Sequence, residues 1–437
     1  MRGFIRAVSV AGINIVVLLA LLGTIELCFR WKYPTDPTEF AATNGLWQKF
    51  APYVMFLTAP GTYSVWTNEF TGKNFPAHVV TNSLGFNDPH EFDYSKPYLK
   101  ADNEKVVLFT GGSVAWGVGS TMTESTISGR MQYYLNSMQS DVKYTVINLG
   151  MGSYIAFQQY LALELWGESF DPDWVVVMDG FNDSGVGCGI SQGVGNPMYY
   201  AISQAYITDY LFATQHPVFY RGWFENELIR YSVAYRMLTG KQYVPNSIMF
   251  DETSAETIPA RRAIIPTKIG QSRDILAFYL KAERAMLGLF PSARYILSTQ
   301  PSVNQFTGDF ESIYASPADS TAHREAMAER DKELEFYLSH YQNDKCTAAG
   351  MQPSFTYTFV EGAIQLERLV ESERQKGKDV AYYNLGAILP DKRADRIPYF
   401  VDPAHLSDKG ADALGRFYAE KILAAADNVR NQRPYHQ

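Results

Sequence analysis

Lys105-Val106-Val107-Leu108-Phe109-Thr110-Gly111-Gly112-Ser113 is the stretch that decides how this chain folds. Residues 106–110 form a short apolar, β-branched run that stops at two glycines. A run without polar alternation needs cover on both faces, which is the situation of a strand inside a parallel sheet. The serine that follows stands on a strand-to-helix turn at the edge of that sheet, with its own N–H at a helix N-terminus. The glycines before it let a ligand approach the backbone.

Outward from this point the pattern repeats. A helical segment is predicted over 124–138, a second strand over 144–149 ending at Gly150, and a helix opened by Ser153. That helix carries Phe157, Tyr160, Leu161 and Leu165 on one stripe, with Gln158, Gln159 and Glu164 off it. A third strand over 174–178 ends at Gly180. An amphipathic helix over 272–290 precedes a fourth strand, 295–298. The fifth strand, 380–385, leads to a last helix from Asp408, capped by Ser407, with Ala411, Leu414, Tyr418 and Ile422 inward. Strands alternating with helices imply a parallel sheet covered on both faces, whose ligands sit at the carboxyl ends of the strands. The stretches 185–270 and 302–375 are too long for simple connections and read as insertions with their own helices, the second including helical segments at 322–340 and 364–374.

At the N-terminus, Arg2 and Arg6 precede an apolar run over 7–25, about the length that crosses a bilayer as a helix. The flanking basic residues place 1–6 in the cytoplasm, 7–29 in the membrane and the rest of the chain outside. A cleaved signal peptide would want a small-x-small site, which Leu27-Cys28-Phe29-Arg30 does not supply. Residues 30–105 read as a juxtamembrane region of loops and short strands, because Tyr53, Val54, Phe56 and Leu57 need burial. The 437 residues carry a formal charge of −8 and no Lys/Arg cluster, which excludes a nucleic-acid partner. Among three cysteines, Cys188 and Cys346 are the pair that could bridge in an oxidising compartment, or they are two separate buried thiols. No Cys or His spacing suggests a metal, and no cofactor is expected.

Four short segments carry chemistry. Ser113 lacks the lysine of a phosphate loop, and Gly117-Val118-Gly119 lacks the third glycine of a dinucleotide site. Asn148-Leu149-Gly150-Met151-Gly152-Ser153 ends the second strand and can aim a backbone N–H into the same crevice. Gly180-Phe181-Asn182-Asp183 ends the third; the uncharged Asn182 amide is a good donor to a developing oxyanion. Asp402-Pro403-Ala404-His405 precedes the last helix, and an Asp three residues before a His can fix the tautomer and orientation of its imidazole. Each segment alone is compatible with ordinary turn chemistry. Together, in this order, they supply a nucleophile, oxyanion donors and a base to one sheet edge.

In these four segments the sequence resembles the SGNH/GDSL hydrolase superfamily. The resemblance covers about 106 to the C-terminus, apart from the two insertions. It implies a flavodoxin-like three-layer sandwich with a five-stranded parallel sheet. It implies Ser113 as nucleophile, His405 as base, Asp402 as its orienter, and the N–H groups of Ser113 and Gly152 with the Asn182 side chain as oxyanion hole. Gly150 is a rival to Gly152, because the second block is short by one residue. The first block has Gly112 where the family name implies Asp. Asn82-Ser83-Leu84-Gly85-Phe86 also resembles a segment of membrane-anchored bacterial members linked to surface polysaccharides. The implied reaction is hydrolysis of an acyl ester, acetyl before others, on a cell-surface glycan or small ester, on the periplasmic side of a bacterial inner membrane. A glycan O-acyltransferase with the same triad, or an inactive polysaccharide-binding assembly component, are the alternatives. The aromatics of 185–270, among them Tyr199, Tyr206, Phe219 and Trp223, read as a sugar-stacking wall, a membrane-lying surface or ordinary packing.

Overall fold

The structure is a computed structural model that describes residues 2–32, 48–51, 53–58, 60–92, 96–139, 141–185, 228, 231–239, 269–303, 353–390 and 392–432. In chain order the elements used below are α1 (Arg2–Lys32), β1 (Gln48–Ala51), β2 (Met55–Thr58), β3 (Thr62–Asn68), β4 (Lys73–Val80), β5 (Glu104–Gly111), α2 (Ser113–Trp116), α3 (Ile127–Met138), β6 (Lys143–Asn148), α4 (Ala156–Ala162), β7 (Trp174–Asp179), α5 (Phe181–Gly185), α6 (Val233–Thr239), α7 (Ile269–Met286), β8 (Arg294–Thr299), α8 (Pro353–Gln375), β9 (Val380–Asn384) and α9 (Asp408–Gln432).

All five expected strands form one parallel sheet in the order β6-β5-β7-β8-β9. Numbered within the sheet this is 2-1-3-4-5, the flavodoxin-like doubly wound order. Because β5 is apolar on both sides, it feeds two cores. Val106 and Leu108 join the core under α4, α7 and α8, with Leu276, Tyr279 and Leu366. Val107 and Phe109 join the core under α3 and α9, with Met131, Leu135, Leu414, Tyr418 and Ile422. Each fully buried aliphatic or aromatic side chain of this kind stabilises the fold by about 1.5–3 kcal/mol. Chain direction across the sheet reverses between β5 and β7, so the ligand crevice of such a sheet opens between their carboxyl ends.

Three local expectations are corrected. The stripe that opens on α4 holds in part: Tyr160, Leu161 and Leu165 pack against the core and Glu164 is exposed, but Gln158 and Gln159 are buried and Phe157 is exposed. Polarity misled the reading, because the Gln158 amide has backbone partners inside, donating to the Val54 carbonyl at 2.7 Å and accepting from Ile155 N–H at 3.2 Å. Ser153 does not open that helix; it is left-handed (φ 64°), and α4 starts three residues later. The last part of 302–375 is not an insertion, because α8 is the crossover helix between β8 and β9 and buries Leu366, Leu369 and Val370 against the sheet core. The expected helical segment at 322–340, Cys188, Cys346 and the aromatics at 199–224 lie outside the described residues.

Residues 48–92 form two antiparallel hairpins, β1–β2 and β3–β4, and a loop that pack on the sandwich itself. Val54, Phe56 and Leu57 are buried there as expected, but Tyr53 is 81% exposed. At the N-terminus α1 is one continuous helix; its segment Gly12–Lys32 has mean hydropathy 2.2, is long enough to cross a membrane, and none of it is buried against the protein.

Candidate active site

Ser113 begins α2 immediately beyond the end of β5, and Asn182 lies in α5 just beyond β7. The topology therefore sets both at the mouth of the crevice before any side-chain contact is considered. His405 arrives from the loop before α9. That loop is tightened by Val401 N–H to the His405 carbonyl at 2.9 Å and Ser407 N–H to the Tyr399 carbonyl at 2.9 Å. It is tied to its surroundings by Val303 N–H to the Pro403 carbonyl at 3.0 Å and by Glu69 N–H to the Val401 carbonyl at 2.8 Å.

The side chains form one hydrogen-bonded line. Ser113 Oγ lies 2.7 Å from His405 Nε2, and His405 Nδ1 lies 2.6 Å from Asp402 Oδ2. The second Asp402 oxygen accepts the N–H groups of Ala404 at 2.8 Å and His405 at 2.7 Å. Burial opposes ionisation of Asp402, but the facing imidazole and these N–H donors outweigh it and hold the carboxyl down at about 2. Burial also opposes the imidazolium of His405; the Asp402 charge and hydrogen bond, with a smaller contribution from Glu69, overcome it and raise its pKa above the ordinary value. The imidazole is thus held in one orientation by a carboxylate that stays ionised, and points its other nitrogen at the serine.

Asn182 Nδ2 donates to the Tyr154 carbonyl at 2.8 Å, so one amide hydrogen is spent on orientation. Its neighbour Asp183 accepts Ala156 N–H at 3.0 Å. These two bonds lock the loop after β7 to the loop after β6, where Gly152 is buried. Gly150, the rival donor, gives its N–H to the Asn148 side chain at 2.9 Å. A Cβ at position 150 would stand 2.7 Å from the backbone of Ala115 and Trp116, so glycine there serves close packing against α2. At position 112 a Cβ would stand 2.5 Å from Asn182 Nδ2. Glycine at 112 thus leaves room for the Asn182 side chain.

The structure also brings in residues that the sequence reading did not assign. The segment after β4 backs the nucleophile turn: Asn87 Nδ2 donates to the Trp116 carbonyl at 2.9 Å, Trp116 Nε1 donates to the Gly85 carbonyl at 3.0 Å, and Asp88 accepts Asn148 N–H at 2.6 Å. Asn82 holds this segment in shape by accepting the N–H groups of Leu84 and Phe86. Arg396 is buried and donates to the carbonyls of Pro390, Ser302 and Gly386, tying its own segment to the loops after β8 and β9. Behind Asn182, Asp179, Asp183 and Glu283 are all buried; loss of solvation, and then their mutual repulsion for Asp183 and Glu283, raises each pKa. In the sequence these positions are foreshadowed by the segment Asn82–Phe86 and by the Asp that follows Asn182. Among the described residues no group of His, Cys, Asp and Glu side chains is placed to hold a metal ion.

No protein-family model and no curated protein matches this chain. Among solved structures it is similar to a family 3 carbohydrate esterase from Clostridium thermocellum, at 12% identity over 74% of this chain and 98% of that one, with a TM-score of 0.32. It is similar to an acetyl-xylooligosaccharide esterase from Geobacillus at 11% identity over 73% and 94% of the two chains, TM-score 0.33. An aryl esterase of M. smegmatis gives 12% identity over 73% and 99%, with a TM-score of 0.32.

Proposed function

We propose that this protein is a serine esterase, held in a membrane by α1, that removes acyl groups, acetyl before others, from a glycan outside the cytoplasm. The observation that carries the reading is the unbroken line from Ser113 Oγ through the His405 ring to Asp402, at 2.7 and 2.6 Å. A serine, an imidazole and a buried carboxylate at such spacing activate the hydroxyl as a nucleophile.

In the proposed reaction Ser113 Oγ attacks the ester carbonyl carbon while His405 Nε2 takes its proton. The carbonyl π bond becomes an oxyanion, which accepts hydrogen bonds from the Ser113 and Gly152 N–H groups and the second amide hydrogen of Asn182. The imidazolium, stabilised by Asp402, returns the proton to the departing sugar oxygen, leaving an acyl-serine. Water, deprotonated by His405, then repeats the sequence and frees the acid and Ser113. Asn182 suits its role because its position is set by Tyr154 rather than by the substrate, so little reorganisation attends the transition state.

The membrane part of the reading is supported by the length and hydropathy of Gly12–Lys32, none of which is buried in the protein. Glycan as substrate class is inferred from that placement.

Labelling with a fluorophosphonate serine probe, followed by peptide mapping, tests the nucleophile. The expected label is on Ser113 and is lost in Ser113→Ala. A label elsewhere, or equal turnover of a chromogenic acetyl ester by wild type and Ser113→Ala, overturns the esterase reading. Adding acetylated and deacetylated glycans then tests the substrate class: acetate release is expected, and acyl transfer to the glycan that outruns hydrolysis would replace it with a transferase.

A further inference from the structure

Ordinarily a membrane anchor is a tether, and its side chains need nothing from the domain it carries. Here α1 makes a specific contact near its end. Glu26 accepts four hydrogen bonds, two on each carboxylate oxygen: Arg30 Nε at 2.8 Å and Val233 N–H at 2.9 Å on one, Ser232 Oγ at 2.7 Å and Ala234 N–H at 3.1 Å on the other. Arg30 in turn donates to the Tyr231 carbonyl at 2.8 Å. The carboxylate therefore meets the first N–H groups of α6, which an isolated helix leaves without partners.

Depth follows from helix geometry. The apolar run over 7–25 spans about 28 Å at 1.5 Å per residue, close to the ~30 Å hydrocarbon core. Glu26 then stands at the boundary, where an ion is poorly solvated and a full set of partners offsets the loss. The residues around the clamp have the character of that layer. Trp31 and Leu27 on α1 are 88% and 68% exposed, and Tyr231 and Leu238 beside and on α6 are 60% and 74% exposed. Aromatic rings and basic side chains such as Arg30 and Lys32 concentrate at membrane interfaces.

We propose that residues 231–239 are an interfacial element that rests in the headgroup layer of the bilayer, bound to the anchor through Glu26 and Arg30. This rests on α1 being a membrane anchor. The occupant of the exposed Tyr231 and Leu238 surface is lipid, because the clamp joins that surface to a helix whose aliphatic side chains from Ile13 to Leu27 are exposed. Loss of α1 would strip the start of α6 of its carboxylate.

The test uses the full chain in phosphatidylcholine vesicles, with the native cysteines replaced by serine and a nitroxide on one new cysteine: Leu238→Cys, Val16→Cys in the anchor, or Tyr133→Cys on the exposed side of α3. Relaxation by oxygen against a water-soluble nickel chelate reads depth. The expected order of oxygen preference is 16, then 238, then 133, and Glu26→Ala should abolish the preference at 238 without changing 16. A label at 238 as aqueous as that at 133, with 16 still in lipid, overturns the interfacial element. A preference at 238 that survives Glu26→Ala overturns the clamp. An aqueous label at 16 overturns the anchor reading itself, and this proposal with it. Thermal unfolding of each labelled protein verifies that it is folded.

Discussion

The Asn182 side chain occupies the space that a Cβ at position 112 would need, with its Nδ2 only 2.5 Å from that point. The amide is not free to retreat, because it is bonded to the Tyr154 carbonyl at 2.8 Å. A small substitution at Gly112 is therefore an indirect probe of the oxyanion hole. Gly112→Ala is expected to lower kcat on an acetyl ester by about a hundredfold, the scale of losing one oxyanion donor, with KM changed much less. Asn182→Ala should give a loss of similar size, and the double variant should lose little more than either single one, since both remove the same interaction. Steady-state kinetics on the three variants decide it.

The His405 pKa predicts the acid limb of the pH profile. Its imidazole must be neutral to accept the serine proton, and its pKa is raised, with burial opposing and Asp402 and Glu69 supporting the charge. The acid limb of kcat/KM should therefore lie above the ordinary histidine value of about 6.5. Glu69→Gln removes the more distant charge and should move the limb to lower pH with little change at the plateau. Asp402→Asn should lower the plateau by about 10⁴-fold, the size seen when a triad carboxylate becomes an amide.

Stability should fall as pH rises above the ordinary carboxylate range because of Asp179, Asp183 and Glu283. Their pKa values are raised in the folded protein, first by burial. The folded state thus holds protons that the unfolded chain releases, so the stability these groups permit at low pH is lost as pH rises through their folded values. Asp402 acts in the opposite sense. Held down at about 2, it contributes stability above the ordinary carboxylate range that disappears as pH falls towards 2. Glu283→Gln should raise Tm by a few degrees at pH 8 and by less at pH 5, a gain of about 1 kcal/mol or more. Calorimetry across pH measures this; an equal shift at both values would show that the carboxyl's charge is not the cause.

Asn87 joins the segment after β4 to the nucleophile turn, donating to Trp116 and accepting from Thr123 Oγ1 at 2.8 Å. Asn87→Ala leaves a buried carbonyl and a hydroxyl without this partner, which costs about 1–3 kcal/mol. Chemical denaturation should show that loss. Turnover should fall as well, since the Trp116 carbonyl belongs to the same short helix as Ser113.

What the amino-acid order determined by itself was whatever has a local cause. Continuous apolar runs ending in glycine specify buried strands, their alternation with helices specifies a parallel sheet, and strand ends specify where Ser113 and Asn182 can meet. The apolar run before Glu26 specifies its own length and hydropathy. Other features depend on partners distant in the chain. Gln158 was legible only as a polar residue, and its burial followed from a Val54 carbonyl that comes from β1–β2. Gly150 reads as a strand-end glycine that could donate to the site; the Asn148 side chain takes its N–H. Gly112 reads as a departure from a motif until Asn182 is beside it. Glu26 reads only as the charged residue after an apolar run until residues 232–234 supply its donors. In each case a buried polar group is tolerable only where a partner stands within hydrogen-bond reach, and only the tertiary structure decides which partner that is.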